Sequence, residues 1–181
     1  FAVMNQIYPF LYNSDYGTAD VTPDIAESGE FTSPTAFTVK LKEGLKFANG
    51  HDLTSSDVKF TFDQLSSPYA DPQYQNETKG VVERAVVLDP RMIRFDLKDR
   101  SNDGLFTIAK MRVFSHKWGL KPDGTHKRFD EIVTEYPIST GPYVIAAADS
   151  GRRLEFRRDP NYWAKDLGVR RGFFNFDRVV Y

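Results

Sequence analysis

The sequence predicts an α+β fold, a mostly antiparallel sheet with flanking helices. Three observations carry that expectation. Several short runs alternate apolar with polar residues, as half-buried strands do. Those runs come in neighbouring pairs joined by turn residues, which is the pattern of hairpins rather than of parallel crossovers. Helical spacing is confined to short stretches between them.

The chain opens with Ala2, Val3, Ile7, Phe10 and Leu11 at helical spacing, which predicts a helix from about Ala2 to Leu11. From Thr35 to Lys42, Phe37, Val39 and Leu41 alternate with Thr38, Lys40 and Lys42, a strand with one wet face. Asn49 and Gly50 supply a turn. Thr54 followed by Asp57 is an acidic capping box, and Val58, Phe62 and Leu65 form one buried stripe behind it. Phe60 lies off that stripe and predicts a second contact surface for the same helix. Val81 to Leu88 and Met92 to Lys98 read as a hairpin turning at Asp89, Pro90 and Arg91. A short helix near Asp103 to Lys110, a strand-like Arg112 to Phe114 and a helix near Arg128 to Val133 follow. Tyr143 to Ala147 and Arg153 to Arg158 form another strand pair, and Phe174 to Tyr181 reads as a last strand. Loops are expected at Tyr12 to Pro23, Gly29 to Thr35, Ser66 to Thr78 and Lys121 to His126.

Composition excludes several classes of chemistry. The 181 residues include no cysteine, so a disulfide scaffold, a thiolate zinc site, an iron–sulfur cluster and a cysteine nucleophile are ruled out. A net charge of −1 argues against a dedicated nucleic-acid binder. No apolar run approaches the ~18 residues that a spanning helix needs. A hydrophobic fraction of 40%, with 15 Phe and 9 Tyr, is enough to fill a core. Charge is unevenly placed: no Lys or Arg precedes Lys40, whereas Arg152 to Arg178 holds eight basic residues against four acids.

Catalytic patterns are missing. His51, His116 and His126 make no metal-ligand pair at helical spacing, which leaves only a site assembled by folding. Neither a glycine-rich phosphate loop nor a GxSxG elbow occurs, and Asp130 and Glu131 are sequence neighbours that face apart on a helix. No enzymatic activity and no cofactor are expected. The arginine doublets at 152–153, 157–158 and 170–171 lie among aromatic residues, as in a single-strand nucleic-acid groove. A solvated strand face in which Arg153, Glu155 and Arg157 pair is the stronger reading of the same pattern. Tyr69, Tyr74, Trp118, Tyr162 and Trp163 are the remaining functional hint: such rings line a ligand cleft or fill a core.

Three ordered segments carry a resemblance. They are FTVKLKEGLKFANGHDLTSSDVKFTFDQL (37–65), VLDPRMIRFDL (87–97), and STGPYVI (139–145) followed by LEFRRDPNYWAKDLGVRRGFFNFDRVVY (154–181). Together they resemble the ABC-transporter solute-binding proteins of family 5, which take up dipeptides, oligopeptides and nickel complexes. The ending is most similar to the oligopeptide and microcin C-binding branch. The resemblance implies a non-catalytic, periplasmic, monomeric receptor whose two lobes close on a peptide-like ligand and pass it to an ABC permease in the inner membrane. Both ends of the chain read as cut within an element, so the expectation is a piece of the N-terminal lobe. Residues 36–140 would be its small subdomain and 141–181 strands leading toward the main lobe. Implied ligand-binding residues are Tyr69, just after the capped helix, and Arg112 with Phe114, at the place where some members meet a ligand carboxylate. The sequence departs from its branch at Ser115 and His116, where prolines are common, and a surface salt bridge is the alternative role for Arg112. Tyr143, Tyr162 and Trp163 read as packing and turn residues. The rival from another class is a stand-alone aromatic-faced interaction or sugar-binding module.

Overall fold

The computed structural model describes residues 4–14, 21–149 and 151–181. Its first element, α1 (Met4–Ile7), is a single turn. The helix expected to reach Leu11 stops early because Pro9 disfavours the helical conformation at Tyr8, and Phe10 instead bridges to Arg112. The start of that predicted helix, residues 1–3, lies outside the described residues.

Two of the predicted loops contain strands. β1 (Tyr12–Ser14) pairs antiparallel with β2 (Val21–Pro23). β3 (Ala26–Phe31) pairs with β4 (Ala36–Leu41), so Gly29 sits in a strand opposite Val39. A side chain at Gly29 would strike the Tyr12 hydroxyl at 2.3 Å and the Phe37 ring at 2.7 Å. The glycine marks a ring lying across the strand, and the sequence reads it as a turn.

β5 (Val82–Asp89) and β6 (Met92–Leu97) form the predicted hairpin. The resulting sheet has the order β3-β4-β6-β5 and is antiparallel throughout. Alternation in β6 is strict: Ile93, Phe95 and Leu97 are buried while Arg94 and Asp96 lie on the other face.

Across this sheet lies α2 (Ser55–Leu65), which starts at Thr54 as expected. The Asp57 carboxylate accepts the Thr54 backbone N–H at 2.8 Å and the Thr54 hydroxyl at 3.2 Å. Val58 and Phe62 enter a first core with the sheet, whereas Phe60 enters a second. The off-stripe phenylalanine therefore does what its position predicts.

A helix that periodicity misses, α3 (Pro72–Lys79), occupies most of the expected 66–78 loop. It buries only Thr78, so it has no apolar stripe to read. Its start signal is nevertheless present: Asp71 accepts the Gln73 N–H at 2.8 Å and Pro72 fills the first position. α4 (Asn102–Ala109) and the one-turn α5 (Phe129–Ile132) fall where expected. The strand-like 112–114 makes only the bridge from Phe10 to Arg112.

A third sheet closes the chain. β7 (Tyr143–Asp149), β8 (Arg153–Arg158) and β9 (Arg178–Val180) lie in that order, all antiparallel. The expected terminal strand is thus three residues long and docked on β8.

The first core is mainly aliphatic and lies between the four-stranded sheet, α2 and α4. The second is built from Ile7, Tyr8, Phe60, Phe114, Trp118, Ile132, Tyr143 and Phe156. Among the described residues, no helix is long and apolar enough to cross a membrane.

Candidate ligand-binding face

The predicted site residues are positioned by three different segments. Arg112 follows α4 directly, and the Leu11 N–H donates to Met111 at 3.3 Å, which zips residues 10–11 to 111–112. This pairing sets the Arg112 guanidinium over the Phe10 ring, 4.6 Å from its centroid. A cation over an aromatic face keeps its charge and its hydrogen-bonding edge while its carbon atoms are covered.

Phe114 lies beneath. Its residue is buried, its backbone N–H donates to Thr61 Oγ1 on α2 at 2.7 Å, and its ring meets Tyr8 at 4.9 Å, Trp118 at 5.5 Å and Phe129 at 6.0 Å. Tyr69, 47% exposed, stands beyond the C-terminus of α2 with the Arg128 guanidinium 4.7 Å over its ring. Arg128 in turn is fixed by Asp130 at 2.8 Å. The three residues are therefore not one cluster. Arg112 and Phe114 share the segment 8–10 through Phe10 and Tyr8, while Tyr69 connects to them through Arg128 and Phe129.

Next to this face is a cavity of about 270 Å³, lined by Tyr8, Pro9, Phe10, Asp24, Tyr162 and Arg170 among others. Tyr8 is almost wholly buried, its hydroxyl has no hydrogen-bond partner among the described residues, and burial pushes its pKa far up. The buried Trp118 Nε1 likewise has no partner among the described residues. Asp24, also buried, is held by Arg170 at 3.0 Å.

The three histidines converge around residues 115–117. His51 Nε2 and Ser115 Oγ are 2.9 Å apart, His116 Nδ1 lies 2.7 Å from the buried Asp57 carboxylate, and His126 Nε2 reaches the His116 carbonyl at 2.6 Å. Burial lowers the His51 pKa, and the positive charge of Lys117 lowers it further. No group of three or more metal-ligating side chains is assembled among the described residues.

Of the aromatics singled out in the sequence, Tyr69 and Tyr74 are exposed, whereas Trp118 and Tyr162 are buried. Trp163 is tied by its indole N–H to the Thr140 carbonyl at 3.1 Å. Sequence reasoning did not single out Tyr8 or Arg128, and it placed Phe10 in the opening helix and Arg170 in a basic doublet without the partners they have here. Each gains its role from a partner distant in the chain, and no spacing encodes that. The Pro9 punctuation that ends α1 is the one local signal that marked Tyr8 and Phe10.

The arrangement sets guanidinium groups over aromatic rings with a cavity beside them, and no group of three metal-ligating side chains is assembled among the described residues. The chain belongs to the bacterial extracellular solute-binding proteins of family 5, whose family model matches residues 20–181. These are the binding components of ABC importers and are not enzymes. The chain is 29% identical to the uncharacterized Escherichia coli K12 protein YejA over 178 residues, which is 97% of this chain and 28% of that protein. It is 32% identical to the probable peptide-binding protein YejA of Agrobacterium fabrum, over 80% of this chain and 24% of that one. The periplasmic oligopeptide-binding protein of an ABC transporter from Thermotoga maritima superimposes with a TM-score of 0.72 at 26% identity, over 89% of this chain and 29% of its own. The chain thus spans less than a third of the length of these relatives.

Proposed function

We propose that these residues supply one wall of a peptide-binding cleft in a periplasmic receptor that feeds an ABC permease of the inner membrane. The observation that carries this reading is the family match over residues 20–181, and the Agrobacterium relative, a probable peptide-binding protein, supports peptides as the solute. On this reading Arg112, propped over Phe10, takes a peptide carboxylate through its planar fork of donors. Tyr69 offers an apolar ring to a side chain, and Phe114 acts from beneath by fixing Tyr8 at the cavity wall. Residues 36–140 form the small subdomain and 141–181 lead toward the main lobe. The receptor works as a monomer, and closure of a second lobe excludes water from the ligand. Backbone hydrogen bonds, which ignore side-chain identity, give breadth of peptide choice.

A single wall binds weakly. Titration of this chain with trialanine, followed by amide chemical shifts, is expected to move Phe10, Tyr69 and Arg112 without tight saturation, and Arg112→Ala should abolish the movement. Micromolar affinity in calorimetry would overturn the shared-cleft reading. Shifts confined to other residues would overturn the site assignment.

A further inference from the structure

Residues 158–175 and Pro142 line a second, half-open cavity of about 390 Å³ that adjoins the first, both being lined by Pro142, Tyr162, Arg170 and Phe174. Its wall carries four cations, Arg158, Lys165, Arg170 and Arg171, against one acid, Asp159. Two of those cations are neutralised, Arg158 by Asp177 and Arg170 by Asp24. The other two are not. Among the described residues, Lys165 Nζ reaches only the Pro160 carbonyl, at 3.2 Å, and Arg171 has no carboxylate partner. Asp159 spends one oxygen on the Asn161 N–H at 2.9 Å.

Tyr162 adds a third donor. The residue is 5% exposed and lines both cavities, and its hydroxyl makes no hydrogen bond among the described residues. Burial pushes its pKa up to about 12, so it keeps its proton at any ordinary pH. The wall opposite is held in an unusual shape. Phe174, with φ of 57°, is the only described residue other than glycine in the left-handed region. Its ring is clamped between Tyr143 and Tyr162, 6.1 Å from each. Strained backbone survives only where its surroundings over-determine it, and it concentrates at ligand sites.

We propose that this cavity is an oxyanion site, which takes a carboxylate or phosphate group between Lys165, Arg171 and the Tyr162 hydroxyl. Each donor suits the task. A guanidinium forks onto two oxygens, an ammonium supplies a compact charge, and a phenol donates without adding charge of its own. Arg170 and Tyr162 are shared with the smaller cavity, so an anion bound here sits next to whatever fills that one. The site stands on its own geometry and does not depend on the peptide reading.

The test uses inorganic phosphate and acetate, titrated separately into this chain at constant ionic strength and followed by amide and arginine side-chain chemical shifts. Saturable shifts centred on Lys165 and residues 170–175 are expected. Lys165→Gln with Arg171→Gln should weaken binding at least tenfold, and Tyr162→Phe several-fold. Arg152→Gln, an exposed control, should leave it unchanged. Both cationic positions are exposed, so the double variant keeps its fold. Saturation by phosphate alone or acetate alone supports the site and names its anion. Shifts that rise linearly with no saturation, or saturation equal in the double variant, would overturn it.

Discussion

The two cores of this chain solve different problems. Beneath the four-stranded sheet, the described buried set has 18 residues, of which only Phe47, Phe62 and Phe95 are aromatic. In the second core six of eight are aromatic, and two of those, Tyr8 and Trp118, bury a polar atom without a partner among the described residues. An aliphatic interior needs shape complementarity alone and tolerates no orphaned donor. An aromatic interior gives large, rigid surfaces with polar edges, which is what a wall facing a ligand requires. The first core is the larger and mainly aliphatic, and the second is the one that meets the cavity of about 270 Å³, at Tyr8.

That division can be broken experimentally. The largest effect is expected from Phe95→Ala, which empties a fully buried site in the central strand β6. A loss of about 3–5 kcal/mol is expected in urea unfolding, and a loss under 1 kcal/mol would show that the sheet is not the anchor. Next comes Asp57→Asn. This carboxylate is completely buried and accepts the Thr54 N–H at 2.8 Å, the His116 N–H at 2.8 Å and His116 Nδ1 at 2.7 Å. It bolts α2 to the 115–117 segment between the cores. The amide meets those donors with a donor of its own, and a loss of about 2–3 kcal/mol is expected in the same assay.

Tyr8→Phe sharpens the contrast from the other side. Removing an orphaned buried hydroxyl should raise stability by about 1 kcal/mol, whereas a drop would show that the hydroxyl has a structural partner. The smallest effect is a pH dependence. His51 has its proton affinity lowered by burial and Lys117, with His116 acting in the same direction and Asp57 and Asp52 opposing. The unfolded imidazole titrates near 6.5 and the folded one lower, so the unfolded chain binds more protons between those values. Stability is full above pH 6.5 and falls as pH drops through that window. Melting temperatures from pH 7.5 to 5 should show the decline, and His51→Gln should flatten it.

Much of the fold was legible because its signals are local. The Thr54–Asp57 box, the Asp89–Pro90–Arg91 turn and the alternation of Ile93, Phe95 and Leu97 each contain their own instruction. Failures fell where two instructions conflict or where none exists. Pro9 cut short an apolar pattern that runs on to Leu11, Gly29 looked like a turn but clears room for rings, and α3 has caps without a stripe. The site was less legible still. Tyr69 and Arg112 are proposed through a resemblance to known receptors, while the rings and carboxylates that hold the neighbouring cations, Phe10, Asp24 and Asp130, are paired by three-dimensional proximity. A cation–π pair has no period.

The Ser139–Thr140–Gly141 segment has a consequence for how the chain comes together in time. Ile7 lends one carbonyl to three donors there, the Ser139 hydroxyl at 2.9 Å, the Thr140 N–H at 3.1 Å and the Gly141 N–H at 3.0 Å. Ser139 and Thr140 also reach back to Ala48 and Lys46, and Trp163 reaches forward to Thr140. A methyl group at position 141 would fall 2.6 Å from the Gln6 carbonyl oxygen, so the junction admits glycine alone. The hydroxyl that Ile7 awaits is 132 positions downstream. At a ribosomal pace of about 5–20 residues per second, the Ile7 carbonyl waits on the order of ten seconds for that anchor.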